Sequence, residues 1–152
     1  MYGHLRLAGL LLLLAAIAAT AQTAQTAEEL KGRADAARGA NQVKPCLEYA
    51  HAELEAANDL FNKGDADQGQ VDIQEVVKYA RKAADAAGST GKHLKDTEIK
   101  LRKLAERMHD VGESLAFEDR QPVRQAVDEL QKIRSDLMVR MWGPDAQPKG
   151  SS

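Results

Sequence analysis

One stretch of the chain repeats apolar residues at alternating steps of three and four, from Leu94 to Leu115. This spacing averages 3.5 residues, the period of a helix that packs against another helix along a left-handed seam. A β-strand would need a period of two, so the stretch predicts a long helix that cannot bury its stripe alone. The stripe consists of Leu94, Thr97, Leu101, Leu104, Met108, Val111 and Leu115.

A second stripe follows the predicted turn at residues 116–122 and keeps the same register. Pro122 suits the first turn of a helix, where the missing N–H of proline has no partner to lose. The fifth helix is therefore predicted to begin at Pro122. Its stripe consists of Val123, Ala126, Leu130, Ile133 and Leu137, with Met141 one turn further on.

Two helices are predicted in the first part of the chain. The first begins at a capping box of Thr26 and Glu29, and its thin alanine stripe predicts a short, loosely docked helix. The second runs from Pro45 to about Asn62, and Gly64 ends it in the left-handed conformation. The stripe of the second helix consists of Leu47, Ala50, Leu54, Ala57 and Phe61.

The third helix is predicted to be capped by Asp65 or Asp67 and to end at "GSTG", residues 88–91. Short turns between long helices imply antiparallel neighbours. The predicted fold is therefore all-α, an up-down antiparallel four-helix bundle of two helical hairpins with a short extra N-terminal helix. The stripe of the third helix consists of Ile73, Val77, Ala80, Ala84 and Ala87. The middle of the core is predicted to consist of Leu101, Leu104, Leu130 and Ile133.

Residues 1–21 have the features of a signal peptide. Arg6 is followed by an apolar run from Leu7 to Ala19, and Ala19 and Ala21 are small residues that a signal peptidase accepts. The alternative is a transmembrane anchor, but a spanning helix needs about 20 apolar residues and this run is shorter. We expect cleavage after Ala21, a mature chain and a bundle domain that begin at residue 22, and a bacterial periplasmic or secreted product.

Composition excludes several classes of protein. Removing Arg6 with the signal peptide changes the formal net charge from -2 to -3, and acidic and basic residues alternate along the chain. This pattern has no basic patch for nucleic acid. Aromatic residues make up 4% of the chain, and no strand-forming run alternates, which argues against a sheet. The bundle domain extends to residue 143, and residues 144–152 are predicted to be a disordered tail.

Cys46 is the single cysteine, so no internal disulfide is possible. His51 lies five positions later and, at about 100° per helical residue, points about 140° away, so the two cannot bind one ion. The favoured interpretation of Cys46 is a half-buried thiol that packs as a small hydrophobic group. The alternative is an exposed thiol that forms an intermolecular disulfide.

The histidines do not form a metal-binding pattern. His51 has Glu48 and Glu55 at helical neighbour spacing, which predicts an ordinary surface ion pair. His93 and His109 are placed on the fourth helix, and His109 lies away from the seam. The chain has no H-x-x-x-H or C-x-x-C spacing, so no zinc site is predicted.

Two other patterns resemble metal sites in part. Residues 65–76 begin like a calcium loop, but Gln70 occupies the glycine position and Val76 the closing acidic position, so helix capping is the better interpretation. Methionine is a soft ligand for copper or haem, but at stripe positions it usually fills gaps in a core. The methionines considered are Met108, Met138 and Met141.

The last predicted helix, "AVDELQKIRSDLMVRMW" at residues 126–142, resembles the cytochrome b562 family of exported four-helix bundles. The resemblance implies a fold of that kind. In that family a histidine on the last helix and a methionine near the start of the first helix bind haem. Here Met138 occupies the position that matches the family's histidine on the last helix, and the mature chain has no methionine before Met108. The resemblance therefore implies the fold without the haem. The chain also resembles uncharacterised alanine-rich helical-hairpin proteins of bacterial envelopes.

These observations favour a non-enzymatic envelope protein that binds another envelope protein, or copies of itself, through helical surfaces. No nucleic acid partner, no cofactor and no transmembrane segment after signal cleavage are predicted. The sequence has no G-x-S-x-G motif and no glycine-rich phosphate loop, so it gives no positive indication of an enzyme. The alternative function is a haem- or metal-binding periplasmic bundle that uses the methionines.

Overall fold

The computed structural model describes residues 26–143, which form helices joined by short turns and contain no strand. The predicted signal peptide, its cleavage site and the predicted tail lie outside the described residues. Within residues 26–143, no helix is both long enough and apolar enough to span a membrane. The elements are α1 (26–36), a 3-10 turn (Gly39–Gln42), α2 (Val43–Asn62), α3 (Ala66–Thr90), α4 (Leu94–Ser114) and α5 (Phe117–Trp142).

The five helices confirm the all-α prediction, and the turn between α2 and α3 is the one that the sequence predicted. Gly64 adopts the left-handed conformation with a φ of 82°. Asp65 is the N-cap of α3, and its carboxylate accepts a hydrogen bond of 3.3 Å from the backbone N–H of Gln68. This bond satisfies one of the amide groups that the first turn of a helix leaves unpaired.

The predicted start of the fifth helix at Pro122 is wrong, because α5 begins at Phe117. Ala116 is extended, so the chain turns over only two residues before the helix starts. Glu118 and Asp119 lie in the first turn of α5, where negative side chains interact favourably with the positive end of the helix dipole. Pro122 therefore lies inside the helix, where it has no N–H to donate to the carbonyl four residues earlier.

The second helix begins at Val43, two residues before the predicted start at Pro45. The third helix ends within the predicted segment 88–91, since it continues through Gly88 to Thr90 and Gly91 ends it with a φ of 67°. Gly88 does not end the helix, and its missing side chain leaves room for the guanidinium group of Arg140, which packs directly over it.

The apolar stripes form one core. The four residues predicted for its middle are buried, since Leu101 and Leu130 are 0% exposed, Ile133 is 3% and Leu104 is 6%. Helix α3 is buried more widely than its predicted stripe, because it packs against α2, α4 and α5. The additional buried residues of α3 are Gly69, Val76, Tyr79, Ala83 and Ala86.

The helices pack as two hairpins, α2 with α3 and α4 with α5. Between the hairpins, α3 runs in the same direction as α5, as the ion pairs Arg81–Glu129 and Arg140–Asp85 show. Within residues 26–143, no Cα atom of α2 lies within 8 Å of one of α5. Helix α2 instead lies beside α4 and parallel to it. Successive helices run in opposite directions, and the contacts between the hairpins also join helices that run in the same direction.

Candidate functional site

Cys46 is fully buried rather than half-buried. Its side chain is 0% exposed, and its Sγ lies 3.9 Å from the backbone carbonyl oxygen of Ala34 on α1. Burial raises the pKa of the Cys46 thiol to about 11, because a thiolate loses its hydration there. An intermolecular disulfide would therefore require α1 to move away from the thiol.

A polar network attaches α1 to α3 next to Cys46. The Asp35 carboxylate accepts hydrogen bonds from the Lys82 Nζ at 2.8 Å, the Tyr79 hydroxyl at 2.7 Å and the Lys31 Nζ at 3.1 Å. These donors, Lys82 first, hold the pKa of Asp35 well below its usual range. Helix α1 is therefore docked by specific contacts, whereas its thin alanine stripe had predicted loose docking.

Two carboxylates between α2 and α3 were not recognised from the sequence as neighbours. Glu53 is 9% exposed, and burial raises its pKa, with the negative charge of Asp72 adding to the effect. Burial also raises the pKa of Asp72. Raised carboxyl pKa values occur at catalytic sites, but neither residue lines the groove described below.

The predicted ion pair of His51 is not formed. Glu55 instead accepts two hydrogen bonds from the guanidinium group of Arg107, and Glu48 lies 3.7 Å from the Nζ of Lys44. In the described part of the chain, His51 makes no ion pair of its own, and its side chain is exposed. An arginine fork matches both carboxylate oxygens, which explains why Glu55 pairs with Arg107 rather than with the nearby imidazole.

The remaining histidines lie apart from each other. His93 precedes α4 as its N-cap with a φ of 60°, not within the helix as predicted, and its carbonyl accepts hydrogen bonds from Thr97. His109 is exposed on α4. The calcium-like segment is helical from Ala66 onward. Among residues 26–143, no three His, Cys, Asp or Glu side chains are placed to hold a metal ion.

The methionines contribute to packing to different degrees. Met108 is 0% exposed in the seam of α4, and Met141 is partly buried against the core. Met138 is also partly buried. The prediction that Met108 and Met141 pack against the core is confirmed.

A groove of about 470 Å³ separates α2 from α4. Leu47 and Leu104 form its floor, and each is 6% exposed. Its volume lies within the range of roughly 300–1,000 Å³ that is typical of ligand sites in proteins. Its walls consist of Glu48, His51 and Glu55 on α2 and of Lys100, Lys103 and Arg107 on α4.

A second cavity of about 360 Å³ continues the groove toward the first turns of α2 and α4. Both cavities are lined by Lys100, and the second also reaches Val43. At the other end, the Arg107–Glu55 pair bridges the groove with hydrogen bonds of 2.8 and 2.9 Å. Both side chains are about two-fifths exposed, and exposed pairs contribute only about 0.2–1 kcal/mol, so this bridge does not lock the groove.

Most of the charged side chains along the groove pair on their own helix. Lys44 lies 3.7 Å from Glu48 on α2, and Lys100 lies 3.0 Å from Asp96 on α4. Glu55 and Arg107 form an ion pair that crosses the groove.

The sequence contained part of this pattern but not the groove itself. Lys44–Glu48 and Asp96–Lys100 are visible as helical neighbours of opposite charge. Their position across from each other depends on how the two hairpins pack. Comparison of the chain with models of protein families, with curated proteins and with solved structures finds no match.

Proposed function

We propose that this chain is an exported, non-enzymatic helical protein of the bacterial envelope that binds another protein chain through the groove between α2 and α4. The observation that carries the proposal is the groove floor, where Leu47 and Leu104 belong to the core and also line an open groove. Charged side chains surround this apolar floor. An apolar centre with a polar rim is the usual arrangement of a protein interface.

We propose that α2 to α5 form one four-helix bundle that supports this groove. The contacts within each hairpin and the ion pairs between the hairpins support this arrangement. The resemblance to cytochrome b562 stays a prediction about the fold alone. Haem or metal binding also stays an alternative prediction, and an absorption spectrum with metal analysis of the purified protein tests it.

Export is tested by the mass of the mature protein. Protein recovered from the periplasm is expected to begin at Gln22, because the small residues before it suit a signal peptidase. Intact-mass spectrometry of the periplasmic and membrane fractions measures this start. A chain that keeps Met1 in the membrane fraction would show that residues 1–21 are an anchor.

The groove is tested by photo-crosslinking in living cells. A photoreactive residue in place of His51, which is exposed on the wall of the groove, is expected to give crosslinked products with a partner chain. The matched control carries the same residue in place of Glu106, which is exposed on α4 and pairs with Arg102 away from the groove. Equal products from both positions, or none from His51, would contradict a binding groove.

A further inference from the structure

We propose that one end of this protein binds the surface of a membrane that contains anionic phospholipids. This basic end is formed by the 3-10 turn, the first turns of α2 and α4, and the last turns of α3 and α5. It carries exposed cationic side chains together with the exposed ring of Trp142. The cationic side chains are Arg38, Lys44, Lys92, Lys95 and Arg140.

Packing brings these elements to the same end although they are far apart in sequence. The methyl group of Thr90, the last residue of α3, lies 3.9 Å from the position that a Cβ atom on Gly39 would take. The second cavity of the groove is lined by the first turn of α2 and by His93, which directly precedes α4. The guanidinium group of Arg140 packs over Gly88, so the last turn of α5 lies beside that of α3. The cations therefore share one end only because the chain is folded.

Carboxylates balance the charge of the basic end only in part. Within residues 26–143, Lys92 and Lys95 form no ion pair. Arg38 donates its hydrogen bonds to the backbone carbonyl oxygens of Asp35 and Ala37, which carry no net charge. The ion pairs near this end are Arg140–Asp85, Lys44–Glu48 and Lys100–Asp96. Positive charge therefore exceeds negative charge at the basic end.

The opposite end of the helices is acidic. It consists of the turns at residues 63–65 and 115–116 and the adjoining first turns of α3 and α5. Its acidic residues are Asp65, Asp67, Glu113, Glu118 and Asp119, and its basic residues are Lys63, Arg120 and Arg124. Charges separated in this way orient a protein in an electric field, so a negatively charged surface attracts the basic end and repels the acidic one.

Trp142 indicates a lipid surface rather than a soluble anion. Its side chain is 70% exposed at the last residue of α5, two positions after Arg140, so it does not contribute to the core. Tryptophan combines an apolar ring with a polar N–H and is favoured at the level of the lipid headgroups. Cationic side chains beside it attract anionic headgroups. The two features together fit a contact with the membrane surface.

Titration with lipid vesicles tests this contact on the chain recovered from the periplasm. Trp142 is the single tryptophan of the protein, so its fluorescence reports directly on the basic end. Vesicles of phosphatidylglycerol and phosphatidylcholine are expected to shift its emission to shorter wavelength, whereas vesicles of phosphatidylcholine alone are expected to leave it unchanged. The shift is expected to disappear in about 0.5 M sodium chloride, because salt screens exposed charges.

Charge variants locate the contact, with binding measured by co-sedimentation with the vesicles. Lys92→Glu/Lys95→Glu is expected to lower the partition coefficient at least about tenfold, because two attractive charges become repulsive. Lys63→Glu/Lys132→Glu is the matched control, since it changes the net charge equally at exposed lysines outside the basic end, and a change below about threefold is expected. Trp142→Ala is expected to lower the partition coefficient at least about threefold.

Three results would overturn the proposal: no binding to the anionic vesicles, equal binding to the neutral ones, or equal weakening by the control. A DNA duplex that binds as tightly as the vesicles would also overturn it, since the basic end would then be a general site for polyanions. Circular dichroism of every variant excludes weakening through unfolding. Crosslinking from His51 in the groove is a separate readout, so lipid binding can fail while the proposed function stands, and the reverse.

Discussion

Replacing Leu104 by alanine is expected to lower the free energy of unfolding by about 2–5 kcal/mol, through lost burial and the cavity that remains. Leu104 is 6% exposed and belongs to the core cluster that α2 to α5 share. Because Leu104 also forms the floor of the groove, water can enter part of the new cavity. The decrease in the free energy of unfolding is therefore expected in the lower half of this range. Urea denaturation followed by circular dichroism measures the change.

Leu94→Ala is the matched control for this substitution. Leu94 belongs to the same seam of α4 but is only partly buried at the start of the helix. Leu94→Ala is therefore expected to lower the free energy of unfolding by less than Leu104→Ala does. An unchanged denaturation midpoint for Leu104→Ala would show that the seam is not part of the core. The seam would then be an assembly surface, and the packing described for α2 and α4 would be wrong.

Alkylation of Cys46 at pH 8 is expected to be at least about 100-fold slower in the folded protein than in the unfolded chain. The thiolate is the reactive form, and burial raises the pKa of Cys46 from 9.0 to about 11. At pH 8 the thiolate fraction then falls from about one in ten to about one in a thousand, and α1 also covers the sulfur atom. The rate of reaction with iodoacetamide, with and without denaturant, measures the difference.

Helix α1 determines this protection, so a variant that loosens α1 is expected to increase the rate. Asp35→Ala removes the acceptor shared by Lys31, Tyr79 and Lys82 and leaves the core of α2 to α5 unchanged. Asp85→Ala, which removes an exposed pair with Arg140, is the control and is expected to have no effect. Equal rates in the folded and unfolded chains would contradict the burial of Cys46. They would favour the intermolecular disulfide, which non-reducing electrophoresis of freshly alkylated protein detects.

Local signals in the sequence predicted most of the helix ends. Asp65 caps α3 because its side chain accepts a hydrogen bond from a nearby backbone amide, and Gly64 takes the left-handed conformation because it has no Cβ atom to clash. The prediction failed at Pro122, where the local preference of proline for a first turn is weaker than the other contacts of the segment. The acidic residues of the first turn, and the hydrogen bond of 2.8 Å from Arg120 to the carbonyl of Leu115, support a start at Phe117.

The candidate site could be predicted less well from the sequence than the helix ends. The burial of Cys46 depends on Ala34, twelve residues earlier, and on the ionic contacts that dock α1. The groove depends on the separation of two helices that are not consecutive in the chain. Neither feature has a periodic signal, because the residues involved are far apart in sequence and meet only through packing.

The sequence by itself determined the helical class of this protein and the buried stripes of α4 and α5. A period of 3.5 residues leaves an apolar helix no stable position except against another helix. Only the tertiary structure decided that α3 packs against both helices of the other hairpin, that α2 runs parallel to α4, and that a charged groove separates α2 from α4. The physical reason is that the stripes specify which faces are buried but not which helix covers each face. That choice depends on the side chains between the hairpins, whose ion pairs and small residues bring together parts of the chain that are tens of residues apart.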